Sequence, residues 1–354
     1  MRSRYGKLLA LLLAVVMLMT LVVGCGTEDT TDNGTDSGPK SDVKAAMVTD
    51  TAGLGDKSFN DLAWAGLEQA QAALGVEVKV LESKEQTDYE PNLIQLATAG
   101  YNPVFAIGFL MQDTVSKVST AYPDVNFGVV DVFFDPTIPN VVGLNFKEQE
   151  AAYLAGVLAG TLTTMTDVDP RINDKKVVGF VGGMEIPPVQ RFLIGFKAGV
   201  ESVDPNIEVK SIYTGNFGDQ QKGKEAGLSL IEAGSDIVFA AAGACGIGTF
   251  AACQEKDALF VGVDADQYLT LTNPGDTIIT SAVKKVDKAV ANTVKKAVDG
   301  NFTGGTNELF GLAEDGVGLA PYHEWDAKLP QTVKDAVDKA KQDVIAGTVV
   351  VPSE

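Results

Sequence analysis

The chain has 354 residues with 47 acidic against 28 basic side chains, a formal charge of −19. An excess of that size repels a phosphate backbone, which excludes nucleic-acid binding by counterion release and disfavours a polyanionic small ligand. One histidine, His323, and three cysteines cannot furnish a histidine-based metal site or a Ser/His/Asp triad, so no metal, cofactor or catalytic residue is assigned and the chain is not read as an enzyme.

Residues 1–24 carry Arg2, Arg4 and Lys7, then an apolar run from Leu8 to Val23, then Gly24 and Cys25. A basic start, an apolar middle and a small residue before the cut describe a secretory signal. Val22-Val23-Gly24-Cys25 also resembles the bacterial lipobox, in which the cysteine becomes the new N-terminus and carries lipid. The plainer reading is an ordinary signal with an incidental cysteine. Loss of the leader's three cations takes the charge from −19 to −22. Residues 25–43 are almost wholly polar and too poor in apolar surface to offset the entropy of ordering, so a flexible tether is expected. The expected location is the extracytoplasmic face of the cell membrane.

From residue 44 strands and helices alternate. Apolar runs at 44–49, 76–82, 104–108, 125–130, 140–145, 176–182, 207–213, 236–242, 258–263 and 277–283 read as strands. Stretches near 59–74, 89–100, 112–121, 147–164, 187–203, 219–234, 246–256 and 284–300 keep helical spacing. The pattern predicts an α/β fold of parallel sheets built from right-handed βαβ units. Ten strands are too many for one ordinary sheet of this kind. A break after Asn145-Phe146-Lys147 gives two lobes: 44–146 with about 284–316, and 147–283 with about 317–354. The lobes read as rough copies with a ligand cleft between them.

Ligands of such sheets bind at the carboxyl ends of strands, and the first strand-to-helix turn supplies Asp50, Asp56, Phe59 and Asn60. Ser58-x-x-Asp61 reads as a cap for the following helix and Gly75 as its stop. Asp131 ends the fourth strand, where a carboxylate serves either as a turn cap or as a ligand contact. Phe217 stands in a polar loop that offers little core to enter. Gly243 opens a glycine-rich helix start that lacks the order of any nucleotide-phosphate fingerprint. Asp264 ends another strand. Lys284 precedes a helix N-terminus, where a cation opposes the dipole, and pairing with Asp264 across the cleft would give it a use. Cys245 and Cys253 are read as small buried hydrophobes.

The motifs Gly55-Asp56-Lys57-Ser58-Phe59-Asn60, Arg191-Phe192-Leu193-Ile194-Gly195-Phe196, Gly215-Asn216-Phe217-Gly218-Asp219, Gly262-Val263-Asp264-Ala265-Asp266-Gln267 and Thr280-Ser281-Ala282-Val283-Lys284 occur in one order. In them the chain resembles the basic membrane protein family, the PnrA-like nucleoside-binding lipoproteins of bacterial ABC importers. The resemblance implies a two-lobed fold like the type I periplasmic binding proteins, a monomer, an ABC permease as partner, lipid on Cys25, and a purine nucleoside (guanosine, inosine or adenosine) held at the hinge. It further implies that Phe59 and Phe217 stack on the base, and that Asp131 and Asn60 bond its edge. Asp264, Lys284 and the Gly243 backbone would hold the ribose, and Asp50 would support the first loop. A ligand-sensing receptor, or a sugar-binding protein of the same fold, shares most of these features. A nucleoside hydrolase would need a calcium ion held by several carboxylates at one strand end, and the first turn offers only Asp50 and Asp56.

Overall fold

The computed structural model describes residues 41–354; the expected signal, Cys25 and most of the tether lie outside them. Twelve strands among the described residues form two six-stranded sheets. The first contains β1 (Lys44–Val48), β2 (Glu77–Leu81), β3 (Val104–Ile107), β4 (Phe127–Val130), β5 (Val141–Phe146) and, late in the chain, β11 (Thr306–Phe310). The second contains β6 (Val177–Gly182), β7 (Glu208–Tyr213), β8 (Ile237–Ala241), β9 (Leu259–Asp264), β10 (Ile278–Lys284) and β12 (Val317–Leu319).

The spatial orders, β11-β5-β4-β3-β1-β2 and β12-β10-β9-β8-β6-β7, are the same order written twice. All pairings are parallel except β10 with β12. The chain crosses between sheets three times, after β5, after β10 and after β11. The edge strands β11 and β12 escape a periodicity reading because they are short and half exposed, and they complete the two sheets as single late additions.

Helices follow the strands: α1 (Phe59–Leu74), α2 (Tyr89–Thr98), α3 (Gln112–Ala121), α4 (Glu148–Leu162), α5 (Pro187–Val203), α6 (Gln220–Glu232), α7 (Ala244–Lys256), the one-turn α8 (Gln267–Thr270), α9 (Val286–Val298) and α10 (Gln331–Ile345). Gly75 ends α1 in the left-handed region, at φ 69°. The Ser58 cap does not form, because its side chain makes no capping bond. Asp56, two residues earlier, takes the backbone N–H groups of Ser58, Asn60 and Asp61 at 3.0, 2.8 and 3.2 Å. The Asp56 carboxylate thus takes the donors that Ser58 would have capped, and Asp61 turns back to accept from the Gly55 and Lys57 N–H groups.

Helix α4 leaves the first crossing and is buried on nearly every side, from Ala151 to Gly160 without a break. Its Ala/Gly/Leu composition suits a helix covered all round rather than on one stripe. A Cβ on Gly156, Gly195 or Gly199 would collide with backbone of the facing helix, so α4 and α5 run in near backbone contact. The largest apolar cluster extends from Met47 and Phe105 of the first sheet through α4 and Phe196 of α5 to Phe180 and Phe239 of the second sheet. Both Cys245 and Cys253 are free and buried.

Candidate functional site

A cleft with about 580 Å³ of space between its atoms, open solvent at the mouth included, lies between the carboxyl ends of the two sheets. Its walls include Asp50, Asp56, Phe59, Gly108, Phe109 and Asp131 from the first lobe. From the second come Ile186, Val189, Phe192, Phe217, Gly243, Asp264 and Lys284. Of the residues expected from sequence, Asp50, Phe59, Asp131, Phe217, Gly243, Asp264 and Lys284 meet there.

Asn60 does not line the cavity. It is fully buried behind the first loop, and its amide donates to Asp50 Oδ1 at 2.8 Å and Asp56 Oδ2 at 3.1 Å while accepting from the Asp50 N–H at 3.2 Å. With both donors committed it has none for a ligand, so it braces two acids rather than reading a base edge. Asp50 also accepts from the Ala52 N–H at 2.9 Å. Burial pushes the Asp50 carboxyl up to about 6, against the opposing pull of Asn60.

The second wall is built on charge. Lys284, the last residue of β10, is 2% exposed. Its Nζ lies 2.8 Å from Asp131 Oδ2, 3.6 Å from Glu148 Oε1 and 3.8 Å from Asp264 Oδ1. The rings of Phe59, Phe146 and Phe192 stand 4.6, 5.6 and 5.7 Å away, all at cation–π range. The pairing expected between Lys284 and Asp264 is present at the long end of ion-pair range, while the hydrogen bond of the ammonium goes to Asp131. Asp264 sits on the neighbouring strand, in register with Val283, whereas Asp131 reaches the ammonium from the opposite lobe. Burial alone would lower the Lys284 pKa, but the three carboxylates outweigh it and hold it above its ordinary value. Burial pushes Asp264 up to about 7, with Lys284 pulling down and Asp131 pushing up. Asp131 Oδ1 and Asp264 Oδ1 are buried without a hydrogen-bond partner in the protein. Two unpartnered acceptors on residues that line a cavity otherwise rich in apolar side chains suit a ligand with a flat apolar body and several O–H or N–H donors.

Backbone shape places these groups. Asp131 and Asp264 both adopt positive φ, 68° and 59°, at the ends of β4 and β9. Gly243, at φ 55°, turns the chain from β8 into α7, and a Cβ there would crowd the Phe217 carbonyl at 3.2 Å. Phe217 is nine-tenths buried. Phe192 and Val189 escape a sequence reading because helical spacing assigns them to the core of α5. Glu148 escapes it because an acid in a first helical turn reads as a dipole partner.

The lobes also touch at the mouth of the cleft. The Lys57 carbonyl accepts from Thr270 Oγ1 at 3.0 Å and Gln267 Nε2 at 3.3 Å.

Residues 43–354 match the family described as ABC transporter substrate-binding protein, PnrA-like. Among curated relatives, the ABC transporter nucleoside-binding protein BmpA of Lactococcus lactis is 34% identical over the whole of both chains. An uncharacterized lipoprotein of Pyrococcus abyssi is 35% identical over 90% of this chain and 76% of its own. Among solved structures, an ABC transporter solute-binding protein from Aeropyrum pernix K1 aligns with a TM-score of 0.79 at 28% identity, covering 88% of this chain and 94% of its own. The two-lobed parallel-sheet architecture is thus that of type I solute-binding proteins, and the chain belongs to the PnrA-like family of ABC transporter substrate-binding proteins.

Proposed function

We propose that the protein is a lipid-anchored extracytoplasmic receptor that captures purine nucleosides for an ABC importer, without chemical turnover. The observation that carries this reading is one cavity lined by aromatic rings from both lobes and by Asp131, Asp264 and Lys284. In this reading Phe59 and Phe217 grip the two faces of the base. Asp131 Oδ1 accepts from the base edge, and Asp264 with Lys284 and the Gly243 backbone takes the ribose hydroxyls. The name of the Lactococcus relative supports the ligand class; that of the Pyrococcus relative, with Val22-Val23-Gly24-Cys25, supports anchoring at Cys25. The lobes, divided as expected from the sequence save that Lys284 stays with the second sheet, close on the ligand about the three crossings.

Calorimetry with inosine and with hypoxanthine tests the reading. Wild-type protein binds inosine, and Phe59→Ala weakens nucleoside and base alike by about 1–3 kcal/mol, because stacking ignores the sugar. Absence of binding to inosine, guanosine and adenosine, with D-arabinose or another free sugar bound instead, overturns it.

A further inference from the structure

Behind the cavity wall, Glu148 is fully buried and touches both cations of the region. Its Oε2 accepts from Arg191 Nε at 2.6 Å, and its Oε1 faces Lys284 Nζ at 3.6 Å, too far for a hydrogen bond and near enough for a strong field. Glu148 does not line the ligand cavity. Its position follows from the helix pair. Glu148 is the first residue of α4, and the next residue, Gln149, has its backbone where a Cβ on Gly195 would collide. Arg191 stands one turn before Gly195 on α5. The bare glycine lets the helices close until the guanidinium meets the carboxylate.

The buried set is thus a chain of alternating charge: Arg191, Glu148, Lys284, Asp131, with Asp264 to the side at 3.8 Å. An ammonium between two cavity carboxylates alone would be drawn wholly toward the cleft. A third carboxylate behind it offsets that pull. Burial raises the Glu148 pKa, and Lys284 and then Arg191 pull against it.

We propose that Glu148, backed by Arg191, is a positioning residue that fixes the Lys284 ammonium at the cleft wall and so sets nucleoside affinity without touching the nucleoside. The inference rests on the nucleoside reading above. Two measurements separate the two claims.

The first is a double-mutant cycle read by inosine calorimetry. Glu148→Gln keeps the size of the side chain and an acceptor for Arg191, and removes the charge. It is expected to weaken inosine at least about tenfold, as loss of one partner in a buried charge network does. In a Lys284→Met background the same change is expected to cost less than about twofold, because its route is gone. A tenfold loss in both backgrounds overturns the proposal, since Glu148 would then act through the fold; so does no loss in either.

The second is the titration of the Lys284 side chain by NMR in ligand-free protein, which needs no nucleoside. Glu148→Gln is expected to lower its midpoint by at least about one pH unit, and an unchanged midpoint overturns the proposal. If Glu148→Gln does not fold, Glu148→Asp, which keeps the charge but draws it back from Lys284, is expected to shift the same midpoint in the same direction by less. A wild-type protein that binds no nucleoside overturns the functional reading alone, and the Lys284 titration still decides the positioning role.

Discussion

The two lobes repeat one strand order and place a carboxylate at the same point in each, Asp131 after β4 and Asp264 at the end of β9, both with positive φ. They do not share its electrostatics. β10 ends in Lys284, while its counterpart β5 ends in Phe146, packed against Phe310 with ring centroids 5.2 Å apart. One cation therefore serves two duplicated acids, and it sits 2.8 Å from the one in the opposite lobe and 3.8 Å from the one in its own. A duplicated fold supplies paired acceptors facing one cleft. A single unduplicated residue breaks the symmetry between them, hydrogen-bonding one and standing off the other.

Breaking that asymmetry at its source has the largest expected effect. Lys284→Met leaves Asp131 and Asp264 buried without the cation between them, and Glu148 with Arg191 alone. The ligand-free protein is expected to lose about 3–5 kcal/mol, measured as the shift in urea unfolding free energy at pH 7.5. A loss below about 1 kcal/mol, the range of exposed ion pairs, would mean that the acids are solvated or protonated and that the lysine does not organise them.

The comparison sharpens with pH. Asp264 is held near 7 by burial against an ordinary value of 3.8. Between those values the native protein keeps a proton that the unfolded chain has released. The stability contributed is present in full below 3.8 and is lost as pH rises through about 7. Asp50, pushed up to about 6, acts in the same direction over a narrower window. Unfolding free energy of the ligand-free protein is therefore expected to fall from pH 5 to pH 8. Asp264→Asn is expected to flatten that fall and to be more stable than wild type at pH 8 by about 2–4 kcal/mol, counted at 1.36 kcal/mol per pKa unit. Parallel pH profiles for the two proteins would show that Asp264 is ionised throughout.

Much of this was legible in the sequence, and for unequal reasons. The strand and helix alternation follows from apolar spacing, so ten strands and the first helix with its Gly75 stop could be read directly. The strands β11 and β12 could not, because three to five half-exposed residues carry no period. Seven of the eight ligand contacts expected from motif likeness line one cavity, because they stand at strand ends, which a parallel sheet brings together. Asn60 failed for a local reason: its amide has better partners in Asp50 and Asp56. The closer partner of Lys284 was missed for a tertiary one: its pairing with Asp264 is there at 3.8 Å, but no pattern within β10 reveals that Asp131 approaches from the other lobe to 2.8 Å. Glu148 and Arg191 are 43 residues apart and meet only through glycines whose sequence reading is ambiguous.

The mildest expected effect concerns the contact that joins the lobes at the cleft mouth. The Lys57 carbonyl takes two donors from the other lobe, Thr270 Oγ1 at 3.0 Å and Gln267 Nε2 at 3.3 Å. The turn that carries them is braced by His323, whose Nε2 lies 2.8 Å from Asp266 Oδ2 and whose ring stacks on Tyr268 at 4.0 Å. Thr270→Val keeps the shape and removes one donor. Because Gln267 still satisfies the carbonyl and Thr270 is exposed, the loss belongs at the low end of the range for a hydrogen bond, about 0.5–1 kcal/mol. The contact forms only when the lobes engage, so this loss should appear as an inosine dissociation rate about two- to fivefold faster with the association rate unchanged, read by stopped-flow fluorescence. Gln267→Leu should cost more, since the same side chain also accepts from the Val263 N–H at 3.2 Å beside Asp264. Equal dissociation rates for wild type and Thr270→Val would mean that the lobes hold the ligand through the Lys284–Asp131 bridge alone.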